Sequence, residues 1–223
     1  MDRPAGDVDT KEAAPLRRTV LLVVGIVLIA VSTALGVWIY FHGTPPFITD
    51  VWWNTLLAAW ASPFMLAFSE VMNFIGGGLI GVFVMPAVIA VILVVVRRPW
   101  GAAYLVASTI LSSAVVQFVK QTVGRARPDD ILVTTDVGSY PSGHVATAAT
   151  TAVALAIIFP RLWVWVVGAA YVMLMALSRT YLHAHWLTDT IGGAALGAGV
   201  SLILAAAFAL ALAREPRPRR HAG

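Results

Sequence analysis

The sequence contains no cysteine, so neither a disulfide framework nor thiol chemistry is open to it. Charge is nearly as scarce. Asp, Glu, Lys and Arg make up 12% of the 223 residues, against about 25% in an ordinary soluble domain, while hydrophobic residues make up 59%. A chain with so little charge cannot cover a water-facing surface and belongs in a bilayer. Clustered carboxylates are also missing. Apart from Asp189, the acids expected on the outward side, Asp50, Glu70, Asp129, Asp130 and Asp136, stand without helical spacing to one another in the core, whereas phosphate-site cations are generally held on converging carboxylates. Chemistry with neither metal nor other cofactor is therefore expected. The Gly76-Gly77-Gly78 run lacks the lysine and hydroxyl of a phosphate loop and reads as a flexible entry to a span. No internal repeat of supersecondary size is present.

Apolar runs long enough to cross a bilayer, which takes about 20 residues, lie at 19–41, 75–96, 101–122, 143–160, 162–178 and 188–213. The first reads as a retained anchor, having no small-x-small cleavage site. Residues 50–74 are harder to place. Lys and Arg in short loops stay on the cytoplasmic side. If 50–74 does not span, Arg3, Lys11, Arg17, Arg18, Arg97, Arg98, Arg161, Arg214, Arg217, Arg219 and Arg220, eleven of the fifteen basic residues, share that side. The segment also carries Asp50, Asn54, Glu70 and Asn73, which are costly in hydrocarbon. It is predicted to be an interfacial or re-entrant helical pair, with Trp52, Trp53 and Trp60 at headgroup level. The expected fold is all-α: a six-transmembrane-helix bundle over 17–213, disordered cytoplasmic N-terminal residues 1–16, and a basic cytoplasmic tail 214–223. The pI of about 9.9 follows from these topology-setting residues, so no nucleic-acid partner is expected, and no obligate protein partner.

The other four basic residues, Lys120, Arg125, Arg127 and Arg179, fall on the opposite, extracytoplasmic side. Lys120, Arg127 and Arg179 come from different segments at one end of the bundle and would repel one another without an anion. Arg offers a planar fork to two phosphate oxygens and Lys a compact charge. Arg125 is open between surface charge and substrate contact. Pro141-Ser142-Gly143-His144 opens a helix, and free N–H groups at a helix N-terminus bind phosphate. Ser142 and Gly143 thus read as phosphate donors and His144 as a general acid, against a plainer reading as cap and first-turn residue. His185 and Asp189 are four apart and share a face if the last helix begins near His185. The carboxylate would then accept from one ring nitrogen and leave the other as a nucleophile. His183 reads as a polar loop residue, and Gly193-x-x-x-Gly197 as a close helix-packing seam.

Taken in order, Lys120-Gln-Thr-Val-Gly-Arg-Ala-Arg127-Pro128, Pro141-Ser142-Gly143-His144 and Ser178-Arg179 with His185 and Asp189 resemble the three-block signature of the type 2 phosphatidic acid phosphatase superfamily, the lipid phosphate phosphatases. The resemblance covers 120–189 with every spacing intact. It implies six membrane helices, both termini in the cytoplasm, and hydrolysis of a lipid phosphate or diphosphate. It also implies roles: His185 attacks phosphorus, Asp189 orients it, His144 protonates the leaving oxygen, and Lys120, Arg127, Ser142, Gly143 and Arg179 hold the phosphate. Vanadium haloperoxidases share these anion-binding blocks, but the membrane-embedded composition argues against that activity. A silent scaffold or lipid transporter would not be expected to keep both His144 and His185. An outward site suits a substrate reached from the outer leaflet of the plasma membrane, with a polyprenyl diphosphate favoured over phosphatidylglycerol phosphate or phosphatidic acid.

Overall fold

The computed structural model describes residues 6–43 and 45–215, with side chains from Pro15 onward. Among the described residues every regular element is helical. They are α1 (Gly6–His42), α2 (Ile48–Ala59), α3 (Pro63–Gly76), a π-helical turn (Ile80–Val84), α4 (Met85–Val95), α5 (Pro99–Val123), α6 (Gly143–Ile158), α7 (Leu162–Tyr181), α8 (Leu187–Ala207) and α9 (Ala209–Ala213). Of the segment 1–16 expected to be disordered, residues 6–16 form the first turns of α1, and residues 1–5 lie outside the described residues. Residues 216–223 of the predicted tail lie outside the described residues. Glu215 is fixed, accepting the Gly101 N–H at 2.9 Å where α5 begins.

Four helices are each long and apolar enough to cross a bilayer: α1 from Pro15, α5, α7 and α8, with mean hydropathy of 2.8, 1.7, 1.6 and 1.8. These match four of the predicted runs. A fifth candidate is broken. The rods Pro63–Gly76 and Ile80–Val95 qualify together, with a bend of 51° between them. The predicted second span, 75–96, is therefore joined across that bend to α3, which the sequence groups with α2. Packing produces the break. A Cβ on Gly76 would lie 2.2 Å from the Met175 Cε, one on Gly77 2.1 Å from the His144 Nε2, and Gly78 takes φ +55. The glycine run is thus a fitted elbow against α6 and α7. The remaining predicted run, 143–160, is α6, whose 16 residues rise about 24 Å, short of a hydrocarbon core of about 30 Å.

Helix α8 holds the bundle together, because its small residues let two neighbours approach at backbone distance. Toward α1, a Cβ on Gly199 would lie 2.9 Å from the Gly25 carbonyl oxygen. Toward α6, Cβ atoms on Gly193 and Gly197 would lie 2.4 Å from the Ser142 carbonyl oxygen and 2.1 Å from that of Ala146. The Gly193-x-x-x-Gly197 seam is therefore a packing contact, and it sets how deeply the Pro141–His144 turn sinks beside the start of α8. Gly197→Ala should destabilise the protein by about 1–3 kcal/mol, as overpacking does, because backbone atoms cannot move aside cheaply. Thermal unfolding in detergent should show the lowered midpoint, and an unchanged midpoint would mean that the seam is loose.

Candidate active site

The three blocks meet at one end of the bundle. Lys120 lies in the last turn of α5, which ends where Gly124 adopts φ 58 and returns its N–H to the Lys120 carbonyl at 3.0 Å. A left-handed residue suits glycine at that stop. The chain then crosses the bundle end as a loop, 124–142, carrying Arg125, Arg127, Asp136 and Ser139. Arg179 sits in the last turn of α7, His185 in the turn that follows, and Asp189 in the first turn of α8.

Three cations converge there. The Lys120 Nζ donates to the Gly138 carbonyl at 2.9 Å and to the Asp136 carboxylate at 3.2 Å. The Arg127 Nη2 donates to the same carboxylate at 2.8 Å, while its Nη1 reaches the Ala184 carbonyl and, at 3.3 Å, the His185 Nε2. The Arg179 Nη1 donates to the Asn73 side-chain oxygen. Asp136, half exposed, is the carboxylate paired with Lys120 and Arg127. Burial pushes its carboxyl up, but Lys120 and Arg127 outweigh that and hold it below the usual range. Burial lowers the Arg127 pKa, and Asp136 opposes it.

Ser142 precedes α6 as expected, yet its hydroxyl makes no capping bond. The Ser142 Oγ and the Arg179 Nε are buried without a hydrogen-bond partner among the described residues, a costly state for polar atoms and one that a bound phosphoryl group would relieve. Gly143 lies against Lys120, where a Cβ would be 3.9 Å from the Lys120 Cε.

His185 is buried, and its two nitrogens have different partners. The Nδ1 lies 2.7 Å from the Ser139 carbonyl. A carbonyl only accepts and a guanidinium only donates, so Nδ1 carries the proton and Nε2 presents its lone pair toward Arg127. Burial lowers the pKa of His185 well below its ordinary value of 6.5, helped by Arg179, Arg127 and Lys120. The ring is therefore neutral at pH 7, and protonation competes only on the acid side of 6.5. The expected bond from His185 to Asp189 is not formed: the Asp189 carboxylate is 3.7 Å from Nδ1. The reason is local. Helix α8 begins at Leu187, leaving His185 outside it, and Asp189 turns back to accept the Trp186 N–H at 2.9 Å.

Arg125 is neither a surface charge nor a cavity residue. Wholly buried, it donates to Asp189 at 2.5 Å and to Asp50 at 2.7 Å. Asp50 also accepts from the Thr188 N–H and hydroxyl, both at 2.9 Å. Asp50, Asn73, Asp136 and Ser139 are site neighbours outside the three blocks. Asp50 and Asn73 carried a signal, as polar residues in an apolar segment that must find partners. Asn73 serves twice, its side chain meeting Arg179 and its backbone carbonyl lying 3.1 Å from the His144 Nε2. His183 pairs with Asp130 at 2.5 Å on the loop side, in keeping with a loop role.

A cavity of about 950 Å³ joins these groups, lined by Lys120, Asp136, Gly143, His144, Arg179 and His185 at one end. It continues as an apolar cleft past Leu79, Ile80, Val82 and Phe83 on one side and Ala114 and Val116 of α5 on the other. The polar end can hold a tetrahedral anion beside an unprotonated imidazole, and the apolar end can take a hydrocarbon chain.

A family model described as the PAP2 superfamily matches residues 101–213. A decaprenylphosphoryl-5-phosphoribose phosphatase from Mycobacterium tuberculosis is 32% identical over 64% of this chain and 80% of its own length. A lipid A 1-phosphatase from Rhizobium johnstonii is 33% identical over 49% of each chain, so the chain spans about half the length of such curated relatives. In fold it is similar to the PAP2-type phosphatidylglycerolphosphate phosphatase from Bacillus subtilis. That likeness has a TM-score of 0.72 at 20% identity and covers 81% of this chain and 93% of that one.

The Asp136 carboxylate competes with any incoming anion for Lys120 and Arg127. Asp136→Asn should tighten inorganic phosphate binding about two- to fivefold, the range for a partly exposed ion pair, measured as competitive inhibition. Weaker phosphate binding would make Asp136 part of the anion site.

Proposed function

The chain belongs to the PAP2 superfamily, and from that premise we propose that it is a metal-independent membrane lipid phosphatase working through a phosphohistidine on His185. The observation that carries the reading is the convergence of Lys120, Arg127 and Arg179, from three segments, on His185, which borders the cavity and whose Nε2 keeps its lone pair 3.3 Å from the Arg127 Nη1. Lys120, Arg127, Arg179, Ser142 and the Gly143 N–H hold the non-bridging oxygens as charge builds. The Nε2 lone pair forms a bond to phosphorus while the bond to the lipid oxygen breaks. The bound phosphate dianion favours the imidazolium form of His144, which keeps its Nε2–H on the Asn73 carbonyl and gives that oxygen its Nδ1 proton. Water then attacks the phosphohistidine, His144 takes a proton back, and inorganic phosphate leaves.

A lipid substrate follows from the apolar continuation of the cavity. The favoured class is a polyprenyl diphosphate or another prenyl-linked phosphate. Supporting that class, the relatives include an undecaprenyl-diphosphatase from Sulfolobus acidocaldarius, 40% identical over 65 residues, as well as the decaprenyl-linked phosphatase above. Phosphatidylglycerol phosphate is the second reading, favoured by the Bacillus fold neighbour. In this account the broken rod and α6 complete six crossings, α2 lies at the surface, both termini are cytoplasmic, and the site faces outward from the plasma membrane.

Phosphate release from a panel of purified prenyl and glycerol lipid phosphates in liposomes, with chelator present, identifies the substrate. Quenching turnover should trap an acid-labile, base-stable phosphoenzyme, absent in His185→Ala and retained in His183→Ala. An adduct that survives His185→Ala would show another nucleophile. Sidedness is read separately, and the absence of native cysteine leaves no background. Val137→Cys should react with an impermeant thiol reagent in intact cells and Arg161→Cys should not. The reverse pattern would turn the site to the cytoplasm.

A further inference from the structure

We infer that Ser139 is the residue that positions the nucleophile, and that Asp189, whose carboxylate stays 3.7 Å from the His185 Nδ1 without a hydrogen bond, orients that ring through Ser139; this rests on the reading of His185 as nucleophile. Ser139 is wholly buried, lies outside the three blocks, and is held at each of its polar groups. Its N–H donates to the Arg125 carbonyl at 2.8 Å. Its hydroxyl donates to the Asp189 carboxylate. Its carbonyl accepts the His185 Nδ1–H at 2.7 Å.

Behind Ser139 the chain of contacts continues. Asp189 receives Arg125, and Arg125 spans to Asp50 on α2. The imidazole is thereby hydrogen-bonded by a neutral carbonyl at 2.7 Å, with the carboxylate held off at 3.7 Å by its bonds to the Ser139 hydroxyl and Arg125. The chemical consequence is specific. A carboxylate in direct contact would stabilise an imidazolium and raise its pKa. A carbonyl fixes the tautomer with less pull on the proton, which leaves Nε2 unprotonated among three cations. Asp189 keeps its place in the mechanism as the anchor of the Ser139 hydroxyl, and Arg125 as the anchor of Asp189. All three are positioning residues, since their side chains are taken up by one another and by Asp50, Thr188 and the Trp186 N–H.

The test is a double-mutant cycle on the phosphorylation step, read as the burst of p-nitrophenol from p-nitrophenyl phosphate in detergent. Ser139→Ala and Asp189→Asn should each slow the burst about 10²-fold, the loss typical of a misplaced reacting group, with little change in KM. If Asp189 works through Ser139, the double variant should be no slower than the worse single variant, within about twofold. Losses that multiply would show that Asp189 acts on His185 independently and would overturn the inference. Ser139→Thr keeps the hydroxyl donor and should recover most of the rate. A loss as deep as that of Ser139→Ala would also count against the inference, provided its unfolding midpoint is unchanged. His185→Ala is run alongside: a burst that persists there defeats the nucleophile assignment itself, separately from the role of Ser139.

Discussion

Arg125 lies in the bundle with its guanidinium between two sealed carboxylates, Asp50 and Asp189. Burying ions is costly unless each is paired and hydrogen-bonded, and removing one partner of such a set costs about 3–5 kcal/mol. That constraint ties together segments otherwise distant in sequence. Asp50 draws α2 down onto the start of α8 through the Thr188 N–H. Asp189 fixes the Trp186 N–H and the Ser139 hydroxyl, and the Arg125 carbonyl receives the Ser139 N–H. The loop 124–142 owes its path across the bundle end to these contacts.

The site's cations then divide into two kinds. Arg125 is matched by carboxylates and is structural. Lys120, Arg127 and Arg179 are opposed by the half-exposed Asp136 and by neutral carbonyls, so their positive potential reaches the cavity. The same potential, added to burial, keeps His185 unprotonated. Anion binding and nucleophile activation therefore share one source, and no separate base is needed to free the Nε2 lone pair. Mounting the site where the ends of six helices and a loop meet, on close glycine contacts between α8 and α6, gives it the rigidity that such placement requires.

Much of this was legible in the sequence. The apolar runs mark α1, α5, α7 and α8 because a lipid-facing rod must be apolar along its whole length, and the three blocks mark Lys120, Arg127, Ser142, His144, Arg179 and His185. What could not be read was tertiary. The bend at Gly77 depends on His144 and Met175 packing against it, and periodicity is blind to that. Arg125 lies two residues from Arg127 and carries the same charge, yet only the fold shows one sealed between carboxylates and the other reaching the His185 ring. The spacing of His185 and Asp189 suggested a helical pair, but α8 starts two residues too late for that. Ser139 gives no sequence signal, since its carbonyl does the orienting and every residue has one.

A structure determined with vanadate bound tests the central claim, that a phosphoryl group sits on Lys120, Arg127 and Arg179 in line with the His185 Nε2. The account predicts vanadium bonded to the His185 Nε2, oxygens on the three cations and the Ser142 hydroxyl, and Nδ1 still on the Ser139 carbonyl. Vanadium bonded to His144, or held on the cations away from His185, would contradict it.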